Sequence, residues 1–145
     1  MKLIIVLLNF ALSMSINNTY SQPVNQQKLI INVVNFENDT GQAIANLFLK
    51  GESLKKKPTH QLISKIVDRK AAFEFDNLPF GDYAIIVFHD ENSNNDLDHN
   101  WFGMPSEPLG YSNGWSFSLF SGMPTFEKLK FHYSQNNNSV SVEVN

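Results

Sequence analysis

The stretch Tyr83-Ala84-Ile85-Ile86-Val87-Phe88 decides the fold of this 145-residue chain. It is a short apolar run bounded by turn-forming residues, with Pro79 and Gly81 before it and a polar segment from His89 after it. A run of this length that is rich in β-branched residues is typical of a strand covered on both faces. The stretch therefore predicts a central β-strand, around which the remaining strands assemble.

Six further segments have the alternation or the β-branched composition of short strands. They cover residues 28–36, 42–50, 61–67, 71–75, 126–133 and 140–144. The second of these also fits a helix, because Ile44 and Leu47 are three positions apart. With turns between the segments and no long helix, the pattern predicts an all-β fold, a single immunoglobulin-like or transthyretin-like β-sandwich of about seven strands. Residues 100–122 are expected to be irregular, with their aromatic side chains packed onto the sandwich.

Residues 1–21 are predicted to be a secretory signal peptide. Lys2 gives a basic start, residues 3–14 are mostly apolar, and small and polar residues follow as far as Ser21. The apolar run is shorter than the roughly 20 residues that span a bilayer. No further segment is long and apolar enough to do so, and we therefore expect no membrane span in the mature chain. Residues 22–27 are predicted to be a flexible leader and residues 28–145 the β-sandwich domain. The expected location is secreted or periplasmic.

The composition excludes several classes of function. The chain has no cysteine, which excludes thiol catalysis and cysteine zinc sites. The net charge is −3 and no basic stripe is present, so a nucleic-acid partner is not expected. We expect a monomer whose partner is an extracytoplasmic protein or a glycan.

Acidic and amide side chains alternate in the loop that follows the central stretch. They are Asp90, Asn92, Asn94, Asp96 and Asp98, at every second position. Alternation points these side chains to one side of the loop, and their oxygen atoms are the ligands that calcium prefers, so we predict that these five residues bind calcium. The spacing matches the start of an EF-hand loop, but Asn95 replaces its glycine and Trp101 its bidentate glutamate, so the loop is not an EF-hand.

A loop of the same residues closed by Asx turns, without a metal, is the alternative interpretation. Glu107 supplies a further carboxylate if the chain folds back, and Tyr83, Phe88 and Leu97 are expected to anchor the loop to the core. His89 and His99 flank the loop, and imidazole suits zinc or copper. Histidines in such positions are more often ordinary strand-end or surface residues.

Two other functions are considered and given less weight. Residues 110–114 match the G-x-S-x-G motif, which requires a strand, a sharp turn and a helix in an α/β hydrolase. This chain lacks that alternation, so a small hydrolase using Glu107 and Ser112 is the weaker alternative. A carbohydrate-binding module is the other, with a stacking face made of Trp101, Phe102, Trp115 and Phe117. Burial of the two tryptophans would remove that face.

Four strings together resemble the bacterial secreted family catalogued as domain of unknown function 2141. They are residues 75–83 (FDNLPFGDY), 89–98 (HDENSNNDLD), 103–113 (GMPSEPLGYSN) and 124–127 (PTFE). The resemblance implies an extracytoplasmic β-sandwich, similar to transthyretin-like and collagen-adhesin B-type modules, and no known activity. This chain has Asn95 where family members tend to have glycine. The function expected from the sequence is thus a non-catalytic binding or structural accessory module with the acidic loop as its site.

Overall fold

The computed structural model of the protein describes residues 27–118 and 120–145. The predicted signal peptide, and all of the predicted leader except Gln27, lie outside these residues. The described residues form eight strands, one 3-10 turn (Ser112–Gly114) and one short helix, α1 (Phe126–Leu129). The strands are β1 (Leu29–Val34), β2 (Gln42–Leu49), β3 (His60–Ser64), β4 (Ala71–Phe75), β5 (Gly81–Asp90), β6 (Leu109–Tyr111), β7 (Phe131–Tyr133) and β8 (Ser139–Glu143).

The strands form two sheets, which confirms the all-β sandwich. In the larger sheet, β2 lies between β3 and β5, all antiparallel. The free side of β5 pairs with β7 near its start and with β6 near its end, so β5 is the central strand that the sequence predicts. In the smaller sheet, β1 lies antiparallel to β4 and parallel to β8.

The main core fills the space between the two sheets. Alternate residues of β1 and β4 are buried, as expected for strands with one covered face. By contrast, β5 buries eight consecutive residues, Tyr83 to Asp90. Tyr83, Ile85 and Val87 face the smaller sheet, whereas Ala84 and Ile86 face a second layer that contains Leu129 and Trp115. This second layer, on the outer face of the larger sheet, carries the loops discussed below.

Two predicted segments are wrong in part. The strand expected over residues 126–133 begins as helix α1, because the Thr125 side chain accepts a hydrogen bond from the Lys128 N–H and Glu127 lies in the first turn. The stretch expected to be irregular contains strand β6. Gly110 allows this strand to approach β8, since a β-carbon there would lie 2.7 Å from the Glu143 carbonyl oxygen.

Smaller corrections concern the third strand and one anchor residue. β3 ends at Ser64, because Asp68 and Arg69 turn with positive φ and donate their N–H groups to Asp39. Tyr83 does not anchor the acidic loop. It lies at the opposite end of β5, where its hydroxyl donates to the Pro79 carbonyl at 2.7 Å. Among the described residues, no helix is long and apolar enough to cross a membrane.

Candidate functional site: the acidic loop and the adjoining cleft

Asp90 closes the acidic loop, residues 90–98, onto the end of β5. Its side chain is fully buried and accepts three hydrogen bonds. The Asn94 and Asn95 N–H groups donate at 3.0 and 2.9 Å, and the Gln42 amide donates at 2.7 Å. Because each donor carries partial positive charge, these bonds offset the buried negative charge. Asp90 therefore has a structural role, which is to hold the acidic loop closed through these three hydrogen bonds.

A second set of hydrogen bonds joins the amides of the loop to Asp98. The Asn92 and Asn94 side chains donate to the Asp98 carboxylate at 2.6 and 3.0 Å. Their own oxygen atoms accept from the N–H groups of Asn94 and Asp96, which makes two Asx turns. The structure thus brings together four of the five predicted ligands. The fifth, Asp96, is exposed, and its side chain forms no hydrogen bond within the described residues.

Glu107 folds back onto the loop, as the sequence allowed. It is buried, and its two oxygens accept from the Glu91 and Asp98 N–H groups, each at 3.1 Å. Burial raises the pKa of the Glu107 carboxyl; the two N–H donors oppose this rise, and the nearby Asp90 and Asp98 charges add to it. Glu107 therefore holds both ends of the acidic loop and brings a third carboxylate close to it.

Sequence reasoning missed Gln42 and Gly41 as parts of this site. Gln42 donates to Asn95 at 2.9 Å as well as to Asp90, but nothing in the sequence connects residues so far apart. Gly41 has φ +72° and lies against the backbone of Asp90. A glycine at a turn was the one available signal for it.

The five predicted ligands do not form a preassembled cation cage. Within residues 27–118 and 120–145, no group of three or more His, Asp or Glu side chains is arranged to hold a metal ion. The amide nitrogens of Asn92 and Asn94 face Asp98, and backbone donors occupy both oxygens of Asp90. This arrangement favours the Asx-turn alternative, and calcium binding stays a prediction.

Calcium binding by the acidic loop is tested by thermal unfolding. The prediction expects a higher Tm in millimolar calcium than in chelator, because a ligand that binds only the folded state stabilises it, by about 2.7 kcal/mol at a hundred times its Kd. Asp98→Asn should abolish the shift, whereas Asp68→Asn, which removes a charge from an exposed position outside the loop, should retain it. Equal melting temperatures in calcium and chelator would contradict the prediction.

The two histidines beside the loop do not form a shared site. His89 is fully buried, bonds through Nε2 to the Thr40 carbonyl at 2.7 Å, and packs edge-on against Phe36. His99 is exposed at the base of the following hairpin, where it pairs with Pro105. His89 is accordingly part of the core, as strand-end histidines commonly are.

An aromatic hairpin, residues 98–106, follows the acidic loop. The Ser106 N–H donates to the Asp98 carbonyl at 2.9 Å, and the Asn100 side chain accepts from two N–H groups at the tip. Trp101 and Phe102 lie at this tip with ring centroids 4.2 Å apart. They are 87% and 73% exposed, so the expectation that the aromatics of residues 100–122 pack onto the sandwich is wrong here.

A cleft of about 450 Å³ separates the aromatic hairpin from residues 115–124. Its walls are mainly apolar and include Met104, Leu109, Tyr111, Phe117 and Met123. Glu107 is the one Asp, Glu, Lys, Arg or His side chain among its described lining residues. Six of the nine exposed large hydrophobic side chains in the described part of the chain lie on the two segments that border the cleft. Apolar surface concentrated in this way is a common feature of interaction sites.

The remaining aromatic and serine residues of this region have structural roles. Trp115 packs edge-on against Tyr111, with ring centroids 4.6 Å apart, and Lys128 lies over its ring. Ser112 is fully buried, donates to the Leu129 carbonyl at 2.5 Å and accepts from the Ile85 N–H at 2.9 Å. The serine of the G-x-S-x-G motif therefore joins β5 to helix α1, and its hydroxyl group is not open to a substrate.

The fold and the site define a small two-sheet β module that carries its loops, and a cleft, on the outer face of the larger sheet. The profile of the family described as an uncharacterised protein conserved in bacteria (DUF2141) matches residues 31–141. The chain belongs to this family, which confirms the resemblance seen in the sequence. Searches of curated proteins and of solved structures gave no match.

Proposed function

We propose that the protein is a secreted or periplasmic, non-catalytic binding module whose ligand site is the cleft beside the aromatic hairpin. The observation that carries this proposal is the cleft itself, an apolar cavity of about 450 Å³ open to solvent. Binding sites for small molecules are typically concave, mostly apolar and of about 300–1,000 Å³, with a few polar groups.

The acidic loop supports the cleft in this proposal. Glu107 bonds to both ends of the loop, and the Asp98 carbonyl accepts a hydrogen bond at the base of the hairpin. The loop thus fixes the hairpin, and with it the wall that contains Met104. A binding site is more precise when a network of hydrogen bonds holds its supporting residues.

Two sequence features support the remaining parts of the proposal. The basic, apolar and small-residue pattern of residues 1–21 is that of an exported protein. The hydroxyl of Ser112, the nucleophile of the hydrolase alternative, is bonded to backbone groups on both sides. The first feature supports the proposed location, and the second argues against the hydrolase alternative.

A titration with Nile red, an uncharged apolar fluorophore, tests the site. We expect its fluorescence to rise on binding, and the double variant Phe117→Ser, Met123→Ser to weaken the affinity by about tenfold, since two apolar walls are lost. Both side chains are substantially exposed, so the variant should fold. Ile63→Ser, which removes a similarly exposed apolar side chain on β3, is the control and should bind as the wild type does. Equal affinity in the double variant and the control would contradict the proposed site.

Glycan binding is the second candidate, favoured by the 87% exposure of Trp101. The tilt of 51° between the Trp101 and Phe102 rings leaves no continuous flat platform, so stacking would use Trp101 alone. If Trp101→Ala releases the protein from a polysaccharide gel that retains the wild type, and the Nile red affinity is unchanged, the glycan function replaces the one proposed.

A further inference from the structure

The charge in the cleft is negative and partly removed from water. Glu107 lines the cleft and is 8% exposed. Each of its oxygens accepts one backbone N–H, whereas a carboxylate oxygen can accept two hydrogen bonds. The Glu107 carboxylate can therefore accept further hydrogen bonds in addition to the two from the loop.

No side chain of the described lining residues supplies a compensating positive charge. Lys128 donates its ammonium group to the carbonyls of Ser121 and of the lining residue Met123, but Lys128 itself is not among the lining residues. Burial is the main reason why the pKa of the Glu107 carboxyl is raised, and the negative charges of Asp90 and Asp98 nearby add to the rise. A cation brought to this carboxylate would thus gain from three negative groups, and an anion would be repelled by them.

We propose that the ligand of the cleft is a small apolar amine, with its hydrocarbon part against Met104, Phe117 and Met123 and its ammonium group at Glu107. This inference rests on the proposed function, because it names the chemical class that the same cleft selects. The apolar walls favour a hydrocarbon body through burial. The carboxylate favours a charged donor, since a charge-assisted hydrogen bond is stronger than a neutral one.

Three probes with the same alkyl chain separate the apolar and ionic parts of this recognition. They are n-octylammonium, n-octanol and n-octanoate, each used below its micelle concentration and detected by displacement of Nile red at neutral pH. For the wild type, we expect octylammonium to bind about tenfold more tightly than octanol, and octanoate to bind least tightly.

The outcomes distinguish the inference from the function on which it rests. If the three probes bind equally, the cleft is an apolar site and the proposed amine selectivity is wrong. If Nile red binds neither the wild type nor the Ile63→Ser control, the proposed function is wrong, and the inference that rests on it is wrong as well. Tighter binding of octanoate than of octylammonium would also overturn the inference.

Glu107→Gln examines the carboxylate directly. It should remove the preference for octylammonium over octanol, which is measured as the ratio of the two affinities so that a change in the shape of the cleft affects both probes alike. Asp96→Asn removes the same charge from an exposed position that does not line the cleft, and it should keep the preference. If Glu107→Gln does not fold, as judged by circular dichroism, the three-probe series on the wild type decides the inference alone. Retention of the full preference in folded Glu107→Gln would overturn it.

Discussion

Gly41→Ala is expected to lower the free energy of unfolding by about 3 kcal/mol or more. A β-carbon at this position would lie 2.2 Å from the Asp90 carbonyl oxygen and 2.8 Å from the Glu91 Cα. These are backbone atoms, so no side-chain rotation can relieve the overlap. The φ of +72° adds a cost of roughly 1–2 kcal/mol for a residue with a β-carbon.

Gly51→Ala is the matched control for this substitution. Gly51 also has positive φ, +95°, but its added β-carbon would meet no atom within 4 Å. The loss of stability in Gly51→Ala should therefore reflect the cost of the backbone conformation without any steric overlap. Denaturant unfolding of both variants measures the difference, and equal destabilisation would show that Gly41 does not lie as tightly on the acidic loop as described.

Asp90→Ala is expected to destabilise the protein by roughly 3 kcal/mol. The substitution removes a buried carboxylate and leaves the Asn95 N–H without its acceptor. The Asn94 N–H and the Gln42 amide each lose one acceptor and keep the other, on Asn92 and Asn95 respectively. A donor without a partner costs about 1–3 kcal/mol, and the lost hydrogen bonds to a charged group add to this.

Asp96→Ala is the comparison within the same loop. Asp96 is exposed and its carboxylate forms no hydrogen bond in the described part of the chain, so we expect a change within about 0.5 kcal/mol. Hydrogen exchange gives a second measurement, because Asp90→Ala should expose the Asn95 N–H group and Asp96→Ala should not. Similar losses of stability in the two variants would contradict the structural role given to Asp90.

The sequence predicted the central strand well, because Tyr83 to Phe88 combine an apolar composition with turns on both sides. It could not predict β6, whose three residues pair with β5 only because distant segments place them there. Helix α1 could have been predicted, since Thr125 and Glu127 are an N-cap residue and a first-turn acid. Residues 126–133 were instead predicted to be a single strand.

The candidate site was predictable only in its local part. Alternation identified the acidic loop and the residues that contact one another over short distances, such as Asn92 and Asn94 with Asp98. The cleft depends on how the aromatic hairpin projects, and hydrophobicity alone predicted burial for Trp101. The Asn100 side chain accepts two backbone hydrogen bonds at the hairpin tip, where the Trp101 ring contacts Phe102 and stays exposed.

The parallel pairing of β1 with β8 has a consequence for the order of folding. Ile30 is aligned with Ser139, so the first and last strands of the described chain are neighbours. β1 can pair with β4 as soon as residues 71–75 are synthesised, but its other edge stays open until the end of the domain is available. Contacts between residues so distant in the chain slow folding. The smaller sheet is therefore completed only when β8 has been synthesised, and one edge of β1 stays unpaired until then.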